Sequence, residues 1–237
     1  MLRRAHSIFR QSKLGEVVET LRAHPRRYTA LADPAKVIWI KPSDVAVYTE
    51  FWTKELRNTQ VLGGSWDHRV RPIEMHPIYR GLHQHFEQGV DWDNTQMFRT
   101  SGFVYLKRSE TLLEKLKQRD ALYDSIKEHG ILPNFTPSQP EVGKYNDGDV
   151  RNISVLIGRN GEIIFACRGW HRLCIAKILR LPHIPVQVLL RHSRWQRIRE
   201  EFKVAKQMAP LSPRTRQLLR HPDLTDILPS AIAARSQ

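Results

Sequence analysis

The sequence is short of sulfur, of acid and of long apolar runs, and each shortage excludes something. Two of its 237 residues are cysteine, Cys167 and Cys174. So few thiols cannot staple a secreted scaffold, and they point to a reducing compartment or to no redox demand. No apolar stretch is long enough to span a bilayer, and no signal-peptide core follows Met1. The basic start, MLRRAHSIFRQSK, is soon followed by Glu16 and Glu19, which speaks against a transit peptide. The expectation is a cytoplasmic protein without a membrane span. Low-complexity tracts are missing too, and the length allows a sizeable core.

Acidic residues number 24 against 38 Lys and Arg, a net charge of +14. The imbalance is concentrated near the ends. The first thirty residues hold seven Lys/Arg and two Glu, and residues 187–220 hold nine and two. Such an excess concerns partners rather than fold. Basic arms suit the phosphates of a nucleic acid or an anionic membrane surface; solvated helix faces are the bland alternative.

What is present is organised around residues 153–190. Ile153-Ser154-Val155-Leu156-Ile157 is apolar and β-branched, hence strand-like. Asn160-Gly161 suits a type I′ hairpin turn, and Glu162 to Ala166 returns as a second strand. Leu173, Ile175, Ala176, Ile178 and Leu179 recur at helical period until Pro182, and Ile184 to Val188 reads as a third strand. At the strand–helix junction, Gly169 permits a sharp turn and the close approach of a ligand. The first N–H groups of the helix lack intrahelical acceptors and sit at its positive end. Arg168, His171 and Arg172 add donors there, so an anion such as phosphate would satisfy both sets. The alternative is that both arginines are solvated and His171 makes a packing contact.

Elsewhere the signals are weaker. Residues 7–24 read as an amphipathic helix ended by Pro25, and Val37 to Ile40 as a short strand. Ser43-Asp44 could start a helical turn. Leu62 to Phe103 is aromatic and turn-rich. There His83 and His85, with Asp67, His68 or His76, are weighed as a metal site, but a structural role is favoured and no metal site is assigned. Asp67, Asp91 and Asp93 are candidate Mg²⁺ holders, with turn residues as the blander reading. Ser109 to His129 is helical, with Gly130 at the position of a C-terminal cap. Residues 133–150, with three prolines and two glycines, read as a loop long enough to cover a ligand. The tail from Ala209 holds short helical pieces at most.

The order helix, strand, hairpin, strand, Gly169-Trp170-His171-Arg172, helix, Ile184-Pro185-Val186 resembles the ParB/sulfiredoxin-like superfamily, over roughly residues 111–192. The segment from Leu122 to Ile131 resembles the helix and glycine that precede its first core strand. The resemblance implies an α+β fold: a small mixed sheet with packed helices, with residues 1–110 as a mixed accessory region and 193–237 as a basic helical tail. It also implies a site for a nucleoside triphosphate or diphosphate, with Mg²⁺. The phosphates would rest on Gly169, His171 and Arg172, with Arg168 and Trp170 beside them. Trp170 stands where sulfiredoxins carry their catalytic cysteine, which sets the chain apart from peroxiredoxin repair. ParB partition proteins carry an acidic residue there and an arginine at the His171 position, and the tail is too short for their helical DNA-binding domain. The superfamily includes a free-serine kinase, so phosphoryl transfer lies within what is implied. His171 would then stabilise the transferring group, and Glu162 on the hairpin, or Glu141, Asp147 or Asp149 in the loop, would be the base. The competing expectation is a basic, DNA-associated or assembly protein without turnover.

Overall fold

The computed structural model describes residues 28–33, 36–49, 60–100, 110–133, 152–166, 168–205 and 213–228. The helix expected over residues 7–24, most of the 133–150 loop and Cys167 lie outside them. The strands are β1 (Val37–Ile40), β2 (Val47–Thr49), β3 (Gln60–Leu62), β4 (Val70–Pro72), β5 (Ile153–Ile157), β6 (Ile163–Phe165) and β7 (Ile184–His192). The helices are α1 (Pro77–Gln88), α2 (Gln96–Arg99), α3 (Glu110–His129), α4 (Trp170–Ile178), α5 (Ser193–Val204) and α6 (Pro213–Gln217).

All seven strands join one mixed sheet in the order β1-β7-β5-β6-β2-β4, and β3 pairs with the far half of β7. The chain is thus α+β. The sheet is larger than the small one expected, because β1 to β4, from the segment read as an accessory region, pair directly into it. Their partners lie far along the chain: Val37 opposite Gln187, Val47 opposite Ile164, Gln60 opposite Leu190. Strands of three residues carry too little pattern to be seen without those partners.

Alternation along the central strands separates two cores. Ile153, Val155, Ile157, Ile163, Phe165, Ile184, Val186 and Val188 face the main core, which also holds Leu173, Cys174, Ile175 and Ala176 of α4. Leu156, Ile164, Ala166 and Leu190 face a smaller cluster with Leu62 and Trp66. In β7 the alternation breaks: Val188 pairs with Val155 but Leu190 with Leu156, so Leu189 is an extra residue. This bulge sends Leu190 to the small cluster and turns Arg191 to the side that Val188 faces.

Arg191 meets a carboxylate there. Asp223, wholly buried, accepts from Arg191 Nε and Nη2 at 2.9 and 2.5 Å and from Trp195 Nε1 at 2.8 Å, with Arg199 Nη1 at 3.3 Å. Burial pushes the Asp223 carboxyl up, but Arg191 and Arg199 outweigh it and hold it below the ordinary range. Arg199 also donates to the backbone carbonyls of Asp223 and Ala30 and pairs with Asp226 at 2.7 Å, and Lys36 closes on Asp226 at 3.0 Å. Three stretches of chain meet at this knot: one around Ala30 and Lys36, one from Arg191 to Arg199, and one from Asp223 to Asp226.

Two turns differ in detail from expectation. Gly161 has φ 92°, but Asn160 has a negative φ, so the hairpin is not type I′. Gly158 N–H bonds Glu162 O and Gly161 N–H bonds Gly158 O, the pattern of a three-residue loop closed by a left-handed glycine. At the end of α4, Arg180 is the one non-glycine residue with positive φ among the described residues, at 52°. It occupies the left-handed cap position, with Leu181 N–H reaching back to Ala176 O.

Replacing Asp223 by Asn leaves two buried arginines short of a counter-charge. The expected loss is about 3–5 kcal/mol of unfolding free energy, read from the urea midpoint. Arg180→Gly should act the other way, gaining about 0.5–1 kcal/mol by relieving the left-handed backbone. An unchanged midpoint in either variant would contradict the corresponding assignment.

Candidate functional site

The turn singled out in the sequence lies between β6 and α4. Gly169 has φ 89° and is the residue preceding the helix, with no side chain to cap it. A β-carbon there would lie 2.8 Å from Ile153 Cγ1 and 3.1 Å from Ile153 Cα. The glycine is therefore required by its backbone conformation and by the closeness of β5, whatever binds beyond it. Leu173 N–H closes the first turn of α4 onto Gly169 O.

The five residues of the turn fare differently. Arg168 is half-buried, and its guanidinium has no partner among the described residues. His171 and Arg172 are half-buried on the first turn of α4, and each is engaged in an interaction of its own. Trp170 is enclosed by aromatics. His76 stacks on it at 3.8 Å between centroids, Phe165 lies at 4.2 Å, and Tyr48 meets it edge-on at 5.1 Å. With one ring face covered by His76, Trp170 acts as a packing residue of the turn more readily than as a platform for a base. His76 also accepts the Ile78 N–H on Nδ1 at 3.2 Å, which makes it the N-cap of α1. The stacked rings place the start of α1 beside the start of α4.

Glu162 is not brought to this turn. It is exposed at the hairpin, accepting from Asn160 N and Nδ2 at 2.9 and 2.7 Å. It precedes β6, whereas Arg168 follows it, and the extended chain between Glu162 and Ala166 spans about 13 Å. Glu141, Asp147 and Asp149 lie outside the described residues.

The other sequence candidates have structural partners. Asp67 takes Arg159 Nε at 2.8 Å and Nη2 at 2.6 Å and also accepts the Arg159 N–H at 2.9 Å. Burial raises its carboxyl, but the bonds from Arg159 overcome that and bring it down to about 2. A carboxylate so saturated is not available to Mg²⁺. His85 lies between Asp120, at 3.1 Å from Nε2, and Val90 O, at 2.8 Å from Nδ1, and stacks on Trp92. His83 lies beside Tyr79 on α1, and Asp91 and Asp93 are exposed at the 3-10 turn Trp92–Asn94. Among the described residues no three His, Cys, Asp or Glu side chains are grouped as a metal site. Cys174 is buried, and its thiol is pushed well above the ordinary range, so it is inert.

Three histidines did more than the sequence suggested. His76, His192 and His221 each accept the N–H two residues on, at 3.1 or 3.2 Å, and start a helix or 3-10 turn. Two of them precede a proline, His76-Pro77 and His221-Pro222, and a proline in the first helical position was the available signal.

An open groove of 380 Å³ runs along α1 past Glu74, Tyr79, His83 and Gln88, and no residue of the turn lines it. None of the described helices is long and apolar enough to cross a membrane.

Gly169→Ala should lower stability by at least about 2 kcal/mol, from left-handed strain and collision with Ile153. Chemical denaturation of the variant measures it, and a wild-type midpoint would mean that the turn has room to spare. Neither protein-family models, nor curated proteins, nor solved structures yielded a match to this chain.

Proposed function

We propose that this chain binds the phosphates of a nucleoside triphosphate or diphosphate at the turn from Arg168 to Arg172. The observation that carries the reading is the uncapped start of α4 at left-handed Gly169, beside the unpartnered guanidinium of Arg168. The start of α1 beside the turn, where His76 stacks on Trp170, supports it, because a second positive helix end lies near. So does the element order: α3, β5, β6, turn, α4 and β7 follow one another as in the ParB/sulfiredoxin-like superfamily.

In this reading Arg168 and Arg172 hold phosphate oxygens, and His171 donates to a second phosphate. Phosphoryl transfer or nucleotide hydrolysis needs chiefly positioning and charge neutralisation, and these residues suit that role. Mg²⁺ enters only as the counter-ion the nucleotide brings, since no described carboxylate group is gathered to hold it. Glu162 has no part in the chemistry at this distance.

A second reading, a basic nucleic-acid-associated protein without turnover, is favoured by one observation. Along α5 and the C-terminal turn the acids point inward: Glu200 accepts from Thr29 and Ala30, Glu201 from Thr215, and Asp223 and Asp226 from arginines. Arg194, Arg197 and Arg220 stay exposed, with no partner among the described residues. A surface left cationic in this way attracts phosphates of any sequence.

Calorimetry with ATP, ADP, CTP and GTP in the presence of Mg²⁺ separates the two. Arg168→Ala or Arg172→Ala should weaken nucleotide binding about ten- to hundredfold, the worth of one charge-assisted contact. Absence of binding to any of the four by the wild-type chain sinks the first reading. Salt-sensitive DNA binding lost in Arg194→Gln/Arg197→Gln would then favour the second.

A further inference from the structure

We propose that His192 and His221 form an acid-released latch that holds the hairpin end of the sheet closed. The two rings are wired alike. Nδ1 of His192 accepts the Arg194 N–H at 3.1 Å, and its Nε2–H donates to Gly64 O at 3.0 Å. Nδ1 of His221 accepts the Asp223 N–H at 3.1 Å, and its Nε2–H donates to Gly161 O at 2.9 Å. An amide N–H can only donate and a carbonyl can only accept, so each contact fixes the neutral Nε2–H tautomer. A second proton must go onto Nδ1, where it would point at an N–H. The cap then fails at either ring, and at His192 a cation also stands at the positive end of α5.

What the rings hold is one connected assembly. Gly64 lies in the loop after β3 and Gly161 in the β5–β6 hairpin. Arg159 ties the two, donating from Nη2 to Gly64 O at 2.8 Å and to Asp67 Oδ1 at 2.6 Å. Trp195 of α5 packs beside His221 at 4.4 Å and donates to Asp223, and Trp66 lies 5.9 Å from His192. Losing either cap loosens the seat of the other.

The surrounding charges leave the imidazoles as the groups that titrate. His192 is faced by Asp67 from the loop, Arg159 from the hairpin and Arg194 from α5. His68, on the same loop, lies 4.0 Å from Asp67 on the solvent side. His221 is faced by Asp223 on its own turn, Arg191 from β7 and Arg199 from α5. Both carboxylates are held ionised by arginines far below neutral pH. Burial is the largest influence on each ring and depresses its protonation below the usual value near 6.5. The sign follows: the stabilisation from each ring is complete above about pH 6.5 and is lost as pH falls below it. The candidate phosphate turn is at the other end of β5, where Gly169 packs on Ile153, and stays in place.

Amide hydrogen exchange by NMR on the full chain, corrected for intrinsic rates, tests the latch between pH 7.5 and 5.0. Protection at the Arg194 and Asp223 amides should fall together by at least tenfold. That of Leu173 in α4 and of Phe98, capped by the Thr95 hydroxyl at 3.3 Å, should hold within twofold. His192→Asn/His221→Asn keeps an acceptor at each cap but removes the titration, so its two amides should stay protected at both pH values. Unchanged wild-type protection, or an equal loss in the double variant, overturns the proposal. Should that variant not fold, ring ¹⁵N shifts of the wild type decide: Nε2–H tautomers that take up protons only below pH 6.5 support the latch, and titration at or above 6.5 refutes it.

Discussion

Everything at the C-terminal side of this molecule depends on keeping one carboxylate ionised in a place without water. Asp223 is fully buried, and an isolated charge there would be prohibitively costly. It is tolerable because two guanidiniums, an indole N–H and a fixed backbone meet it at once. Each partner comes from an element that has to be correctly placed first: Arg191 from β7, Trp195 and Arg199 from α5. The ion group therefore works as a check on assembly. If β7 slips or α5 rotates, the charge loses its partners, and the misplaced arrangement is penalised by several kcal/mol. Apolar packing alone tolerates such errors more readily.

The same logic separates the two ends of the sheet. At one end, polar groups saturate one another: Asp67 with Arg159, Asp223 with Arg191, the histidines with backbone. At the other, the start of α4 has a glycine where a capping side chain would stand, and a guanidinium beside it without a partner among the described residues. Satisfied polar groups build structure, and unsatisfied ones are where a ligand gains most. That contrast, more than any single motif, directs attention to residues 168–172.

Much of this was legible from local pattern. The β-branched run at Ile153, the apolar period ending at Pro182 and the glycine after His129 are signals within one element, and β5, α4 and α3 appear where they predict. The class, α+β, follows from them. Long-range pairings were not legible. Asp67 and Arg159 stand 92 residues apart, and nothing near either marks it for the other. The aromatic enclosure of Trp170 needs Tyr48 and His76 from the distant N-terminal half. Glu162 looked close to the turn because six residues is a short distance in sequence; along a strand it is a long one in space. The histidine caps escaped because Ser, Thr, Asp and Asn are the residues expected there.

The single extra residue in β7 behaves like a frameshift within the strand. Upstream of Leu189, even-numbered side chains read into the main core; downstream, the parity is exchanged and the odd-numbered Arg191 takes that side. Loss of the Leu189 codon would close the bulge: Leu190 would follow Val188 directly and keep the smaller cluster, Arg191 would keep the main-core side, and only the contact of Leu189 with the smaller cluster would go. Among descendants of this chain, then, a one-residue shortening of β7 should be found at the bulge rather than upstream of it, where it would move Ile184 or Val186 off the main core.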